Sequence, residues 1–230
     1  MENLVIIGCS ETAERILFFC KKYKLYNVLG FAIDREYIQF DTFHGYPVWP
    51  IDELHLHMDV HSDKIFVALF WNHLNGDRRR LYEKLANSEF HFANIISPNS
   101  SVRGDIGNNC WIMDSVTVQE YASIGDNVIC ADMAFIGNKT DIQSHAFIGA
   151  KSTIMGGCKI GKQTFVGINA TIFDDTIIGD KCIVGACTIV KRDLPSCCVC
   201  RVKNIDNLIK QYPEDIIESK WVAGKNVRTT

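Results

Sequence analysis

The chain has 230 residues, ten of them cysteine, and a formal net charge of -3, with a pI near 6.2. That length suits one or two domains, and the charge offers no basic field for nucleic acid. No apolar run reaches the ~18 residues of a membrane span, and ten cysteines behind a start (MENLVIIGCSE) without a basic leader point to a reducing, cytoplasmic compartment.

Residues 3 to 8 (NLVIIG) read as a short buried strand. Ser10 stands where it can cap a helix over Thr12 to Tyr23, with Ala13, Ile16, Leu17 and Cys20 at helical spacing. Residues 28 to 33 (VLGFAI) read as a second strand ending at Asp34, and Phe40 to Pro50 as a loop. Residues 64 to 70 (KIFVALF) are a third strand, followed by a helix from Gly76 to Leu85. Strands alternating with helices predict a small parallel sheet. The turn Gly8-Cys9-Ser10-Glu11-Thr12-Ala13 lacks the second and third glycines of a dinucleotide fingerprint, so NAD is not expected. His55, His57 and His61, and likewise Cys197, Cys198 and Cys200, do not show zinc-ligand spacing, and no metal is expected. Arg78, Arg79 and Arg80 read as a solvated helix face, one of them within reach of a diphosphate.

From Ile106 to Val190 a period of six runs without a slip: fifteen hexads, fourteen of which begin with Ile or Val. The fifth position is almost always small, as at Cys110, Ala122, Ala134, Ala146, Cys158 and Ala170. A fixed hexapeptide period points to a parallel β-helix. Three hexads close one triangular coil, so residues eighteen apart stack. The β-branched residue fills the interior and the small one lets the wall turn inward. One coil cannot bury its own apolar face, so stability comes from stacking several. Residues 95 to 103 lead into the repeat, the period stops after Pro195, and residues 201–230 read as a helical tail.

The segments CKIGKQTFVGINATI (158–172) and IGDKCIVGACTIVKRDLP (178–195) resemble the hexapeptide-repeat acyltransferases. The order of parts over residues 3 to 200 is similar to the bacillosamine, perosamine and sialic acid acetyltransferases. The resemblance implies an α/β N-terminal Rossmann-like domain (1–95) that binds a nucleotide sugar. It also implies an all-β left-handed parallel β-helix (96–200) that uses acetyl-CoA. Ser10, Thr12 and Asp34 match positions that hold the substrate's nucleotide in relatives. Arg35 stands where bacillosamine enzymes can have a second Asp, and Asn72 matches a residue near the substrate. Backbone at the positions of Gly156, Ile168 and Ala186 contacts acetyl-CoA in relatives, and the Gly156 N–H is a candidate oxyanion donor. Lys191 and Arg192 end the last coil and can meet CoA phosphates.

The family's catalytic histidine falls at Asn138, and a carboxamide cannot take a proton as imidazole does. His145 is the only histidine of the repeat and the candidate base, expected to point outward, with Asn138 orienting the amine. Three readings stand: N-acetylation of a nucleotide-linked amino sugar, O-acetylation of a sugar such as sialic acid, and a non-catalytic scaffold. N-transfer is preferred because a neutral amine already has its nucleophilic lone pair. Relatives are trimers with CoA between neighbouring prisms. Here Phe135, Phe147, Phe165 and Phe173 form an apolar set on the outer wall that a homotrimer would cover.

Overall fold

The computed structural model describes residues 1–202; the expected tail helix lies outside the described residues. The first part is a six-stranded sheet. Strands β1 (Asn3–Ile7), β2 (Asn27–Ile33), β3 (Thr42–Phe43), β4 (Tyr46–Pro50), β5 (Lys64–Val67) and β6 (His91–Phe92) take the order β3-β4-β2-β1-β5-β6. All neighbours are parallel except the β3–β4 hairpin. The residues of β1 alternate between two cores. Leu4 and Ile6 join helix α1 (Glu11–Tyr23) on one face, and Val5 and Ile7 join helix α2 (Asn72–Ala86) on the other. A parallel sheet covered on both faces reads as apolar runs, as these strands do.

Four local expectations need correction. Tyr46–Pro50 is a strand, not loop: Pro47 and Pro50 donate nothing to the ladder, and the Val48 N–H turns to Asp41 O at 3.0 Å. The third strand ends at Val67, three residues early. Ser10 takes the N-cap position of α1 without a side-chain cap bond. Arg78 is fully buried and not on a solvated face. Its guanidinium donates to the carbonyls of Val67, Leu69 and Asn109. Right-handed helix does begin at Gly76, because His73, Leu74 and Asn75 at the head of α2 sit in the left-handed region.

The second part is a parallel β-helix with three flat faces. Strands eighteen residues apart pair in register, as in Trp111↔Ile129, Thr117↔Phe135 and Ser123↔Asp141. The leading Ile and Val side chains form one interior core with the small fifth-position residues. The coils stack so closely that a Cβ on Gly137 would lie 2.5 Å from the Met155 carbonyl carbon. The helix is longer than the strict period. Ile95–Ile96 and Ser101–Val102 already pair with Trp111–Ile112 and Thr117–Val118, sixteen residues on, so residues 95–103 are the first coil. At the far end Leu194 pairs with Ile178, and Val199–Cys200 pairs with Ile183–Val184. At each end one corner is two residues short, from Val102 to Ile106 and from Val190 to Leu194, which hides these strands from a count by sixes.

The two parts share a core. Phe19 and Cys20 of α1 pack with Trp111, Ile129 and Phe147 on one face of the β-helix. Phe19 meets Trp111 edge to face at 5.8 Å, and Arg15 lies 4.8 Å over the same indole. Phe147 is buried and Phe165 half-buried beneath Phe70 and Trp71. The chain's own first domain, rather than another copy, therefore covers these two members of the expected outer apolar set.

Candidate active site

The C-terminal ends of β1, β2 and β5 open into three adjoining clefts that share Asp34. One, of about 690 Å³, adds Arg35, Asp52 and Lys84. A narrower apolar slot of about 160 Å³ runs along Gly8, Ile33, Tyr37 and Leu69. Open parallel sheets bind ligands at this end, where the strands leave a crevice. Asp34 receives Lys84 Nζ at 2.8 Å, and Arg35 is 3.1 Å from Asp52 and pairs also with Glu53. Ser10 and Asn72 are exposed, and Thr12 is buried; none of the three lines these clefts. Lys84 and Arg80 do line them; Arg80 belongs to the arginine run expected to bring one member within reach of a diphosphate, whereas Lys84 was not singled out in the sequence. They stand four residues apart on α2, a spacing that puts both on one helix face.

On the β-helix the third residue of each corner turns its N–H outward. At many corners a side chain eighteen residues on satisfies it. Asn108 N–H donates to Asp126, Asp114 to Asp132, Asp126 to Ser144, and Lys162 to Asp180. The corner that stacks Asp114, Asp132, Ala150, Ile168 and Ala186 keeps this pattern only at Asp114, because from Ala150 onward its side chains cannot accept. Among the described residues no acceptor faces the N–H of Ala150, Ile168 or Ala186. The result is a column of free backbone donors beside an exposed apolar strip, since Ile168 is 57% exposed. Free donors in a row along an apolar strip suit an extended chain that carries amide carbonyls.

Gly156 belongs to a different corner, directly over Asn138. The Asn138 carboxamide lies against it: a Cβ on Gly156 would be 2.5 Å from Asn138 Oδ1. The Gly156 N–H is not free, because it donates to Asp174 Oδ1 at 3.1 Å. It can serve an oxyanion only by leaving that carboxylate. Lys191 Nζ sits 5.0 Å over the Phe173 ring, and Arg192 is exposed nearby.

His145 occupies the remaining corner, away from Asn138 within one chain. It points outward from the coil, but α2 covers it, leaving its side chain 12% exposed. Asn127 Nδ2 lies 3.0 Å from Nδ1, Glu83 Oε1 is 3.7 Å from Nε2, and the Tyr82 ring stands edge-on at 5.8 Å. Burial lowers its pKa, Glu83 raises it and Arg79 lowers it further, with smaller effects from Asp126 and Arg78. Nδ1 faces Asn127, and Nε2 faces the opening between α2 and this corner. Within one chain the ring therefore does not meet the Asn138 carboxamide.

No known family profile matches the chain, and no curated protein matches it by sequence. Solved structures do. The chain is 24% identical to a variant of perosamine N-acetyltransferase from Caulobacter crescentus in complex with CoA and GDP-perosamine, over 88% of this chain and 94% of that one, with a TM-score of 0.76. It is 21% identical to the acetyltransferase domain of PglB from Neisseria gonorrhoeae in complex with acetyl coenzyme A, over 87% and 96%, with a TM-score of 0.75. WeeI from Acinetobacter baumannii AYE follows at 14% identity and a TM-score of 0.58. The chain has the fold of these proteins. The likeness runs nearly end to end, through both the sheet and the β-helix.

Proposed function

We propose that this protein is an acetyl-CoA-dependent N-acetyltransferase acting on a nucleotide-linked amino sugar. The observation that carries the reading is the column of free N–H groups at Ala150, Ile168 and Ala186, in a fold whose solved neighbours hold CoA or acetyl-CoA. The pantetheine arm of CoA is an extended chain with two amides, the ligand such a column suits. In this reading residues 1–95 form a Rossmann-like nucleotide-sugar domain and residues 96–200 the left-handed acyltransferase prism. Asp34 and Arg35 meet the nucleotide in the shared clefts, Ser10, Thr12 and Asn72 border it, and Lys191 and Arg192 meet CoA phosphates. The enzyme works in the cytoplasm, without a metal, as a homotrimer whose prisms clasp CoA between them.

The chemistry asks little of the protein beyond placement. The neutral amine attacks the thioester carbonyl carbon, an N–C bond forms, the C–S bond breaks, and the proton shed by nitrogen ends on the thiolate. Asn138 orients the amine by its exposed carboxamide. N-transfer is favoured over O-transfer because a hydroxyl would need a base, and within one chain His145 does not meet the Asn138 carboxamide. Calorimetry tests the division of labour. Acetyl-CoA, and one of UDP, GDP or dTDP, should each bind saturably and without competing. Failure of acetyl-CoA to bind at millimolar concentration would remove the basis of the proposal.

A further inference from the structure

Three buried amides determine which nitrogen of His145 carries its proton. The Val67 N–H can only donate, and it faces Asn109 Oδ1 at 2.8 Å. That orients Asn109, whose Nδ2 donates to Asn127 Oδ1 at 2.7 Å. Asn127 Nδ2 in turn donates to His145 Nδ1. Asn109 and Asn127 are completely buried, so no water relieves a reversed amide, and each flip would set donor against donor or acceptor against acceptor. Residues 109, 127 and 145 stack because the coil repeats every eighteen residues, and Arg78 holds the start of the ladder by donating to Asn109 O at 2.7 Å. The imidazole is thus a neutral ring with its proton on Nε2.

That Nε2–H opens into a cleft of about 310 Å³ between α2 and the β-helix corner. Among the described residues it has no acceptor within hydrogen-bond distance, Glu83 being 3.7 Å away. Arg79, Lys162 and Lys181 also line the cleft. Two carboxylates also line it: Asp180 accepts the Lys162 N–H at 2.7 Å through one oxygen, and Glu83 stands 3.7 Å from His145 Nε2 and 3.8 Å from Arg79, hydrogen-bonded to neither. The cleft thus sets three cations and the His145 Nε2–H, with Ser144 and Gln163 beside them, against two carboxylates, which leaves donors and positive charge in excess. We propose that it binds a phosphate group, with His145 as a donor locked into its Nε2–H form by Asn127 and Asn109. Phosphate brings acceptor oxygens and negative charge to meet that excess. The site lies at a different corner from the open amide column and does not depend on the acetyltransferase reading.

The test is imidazole nitrogen NMR on the full chain, which has seven histidines, with His145 assigned by its loss in His145→Gln. At neutral pH the ring should show a protonated Nε2 and an unprotonated Nδ1. Inorganic phosphate and adenosine 3′,5′-bisphosphate are then titrated separately. Saturable movement of the Nε2 signal by phosphate identifies a free-anion site, and movement by the bisphosphate alone identifies a nucleotide phosphate. In Lys162→Gln/Lys181→Gln the dissociation constant should rise by roughly tenfold or more, since charge-assisted bonds are lost. Asn127→Asp should place an acceptor against Nδ1, move the proton there and abolish the response. A protonated Nδ1 in the parent protein would overturn the proposal. So would the absence of saturation by either probe, or an unchanged constant in the lysine variant.

Discussion

At position 145 the imidazole belongs to an amide ladder, and its protonation follows from its partners. Burial holds its pKa below the ordinary value. The unfolded chain takes up this proton near pH 6.5, the folded chain only at lower pH. Stability from this residue is therefore complete above about pH 6.5 and is lost as pH falls through that range. His145→Gln should show a flatter decline than the parent when urea unfolding is followed from pH 7.5 to 5.5. Equal slopes would mean the ring titrates alike in both states. Arg78 is a second residue defined by its surroundings. Burial pulls its pKa down to about 9, yet three carbonyls accept its protons and keep it charged at neutral pH. Arg78→Met strands those carbonyls and should cost about 3 kcal/mol or more, read as a lower urea midpoint. Arg78→Lys should recover only part of the loss, because a single ammonium cannot span a fork of acceptors.

The corner is the element that decides function on the β-helix. Where Asp126, Asp132, Asp174 or Asp180 follows by eighteen residues, the outward N–H is closed. At Ala150, Ile168 and Ala186 it is open. Ile168→Asp should close the Ala150 N–H in the same way and place a negative charge beside CoA phosphates. Acetyl-CoA affinity should fall roughly tenfold or more while the thermal midpoint holds or rises. Calorimetry and a melting curve on one variant decide it, and unchanged affinity would remove the column from the CoA site. The strict period made the β-helix and its interior legible, because Ile106 to Val190 repeats without an insertion. Coils at both ends were not legible, since each has a corner two residues short. Strand β4 hid behind two prolines tolerated near a sheet edge. Arg78 hid within a charged run, because a sequence does not show which side of α2 meets a carbonyl of the first coil. The candidate nucleotide carboxylate Asp34 was readable from the end of an apolar strand, whereas Lys84 depended on where α2 settles against that end.

As a whole the molecule is two parts built on one shared core. Trp111 of the first coils is buried against Phe19 of α1. Trp111→Ala should cost about 3–5 kcal/mol and lower a single unfolding transition rather than split it in two. Two separated melts would show that the parts fold independently. The far face tells of assembly. Phe135 and Ile189 share one wall, Phe173 lies at its edge, and Ile189 is 62% exposed. Light scattering should report a trimer, and Ile189→Glu should shift it toward monomer with loss of CoA binding if the ligand lies between prisms. Acyl transfer to nitrogen is read most directly by product analysis. The purified protein is incubated with acetyl-CoA and a panel of UDP-, GDP- and dTDP-linked amino sugars, with sialic acid alongside, and thiol release and product mass are read together. An N-acetyltransferase should give equal amounts of free CoA thiol and of one N-acetylated nucleotide sugar. Thiol release with sialic acid alone, giving an O-acetyl ester, or no thiol release from a trimer that binds acetyl-CoA, would contradict it.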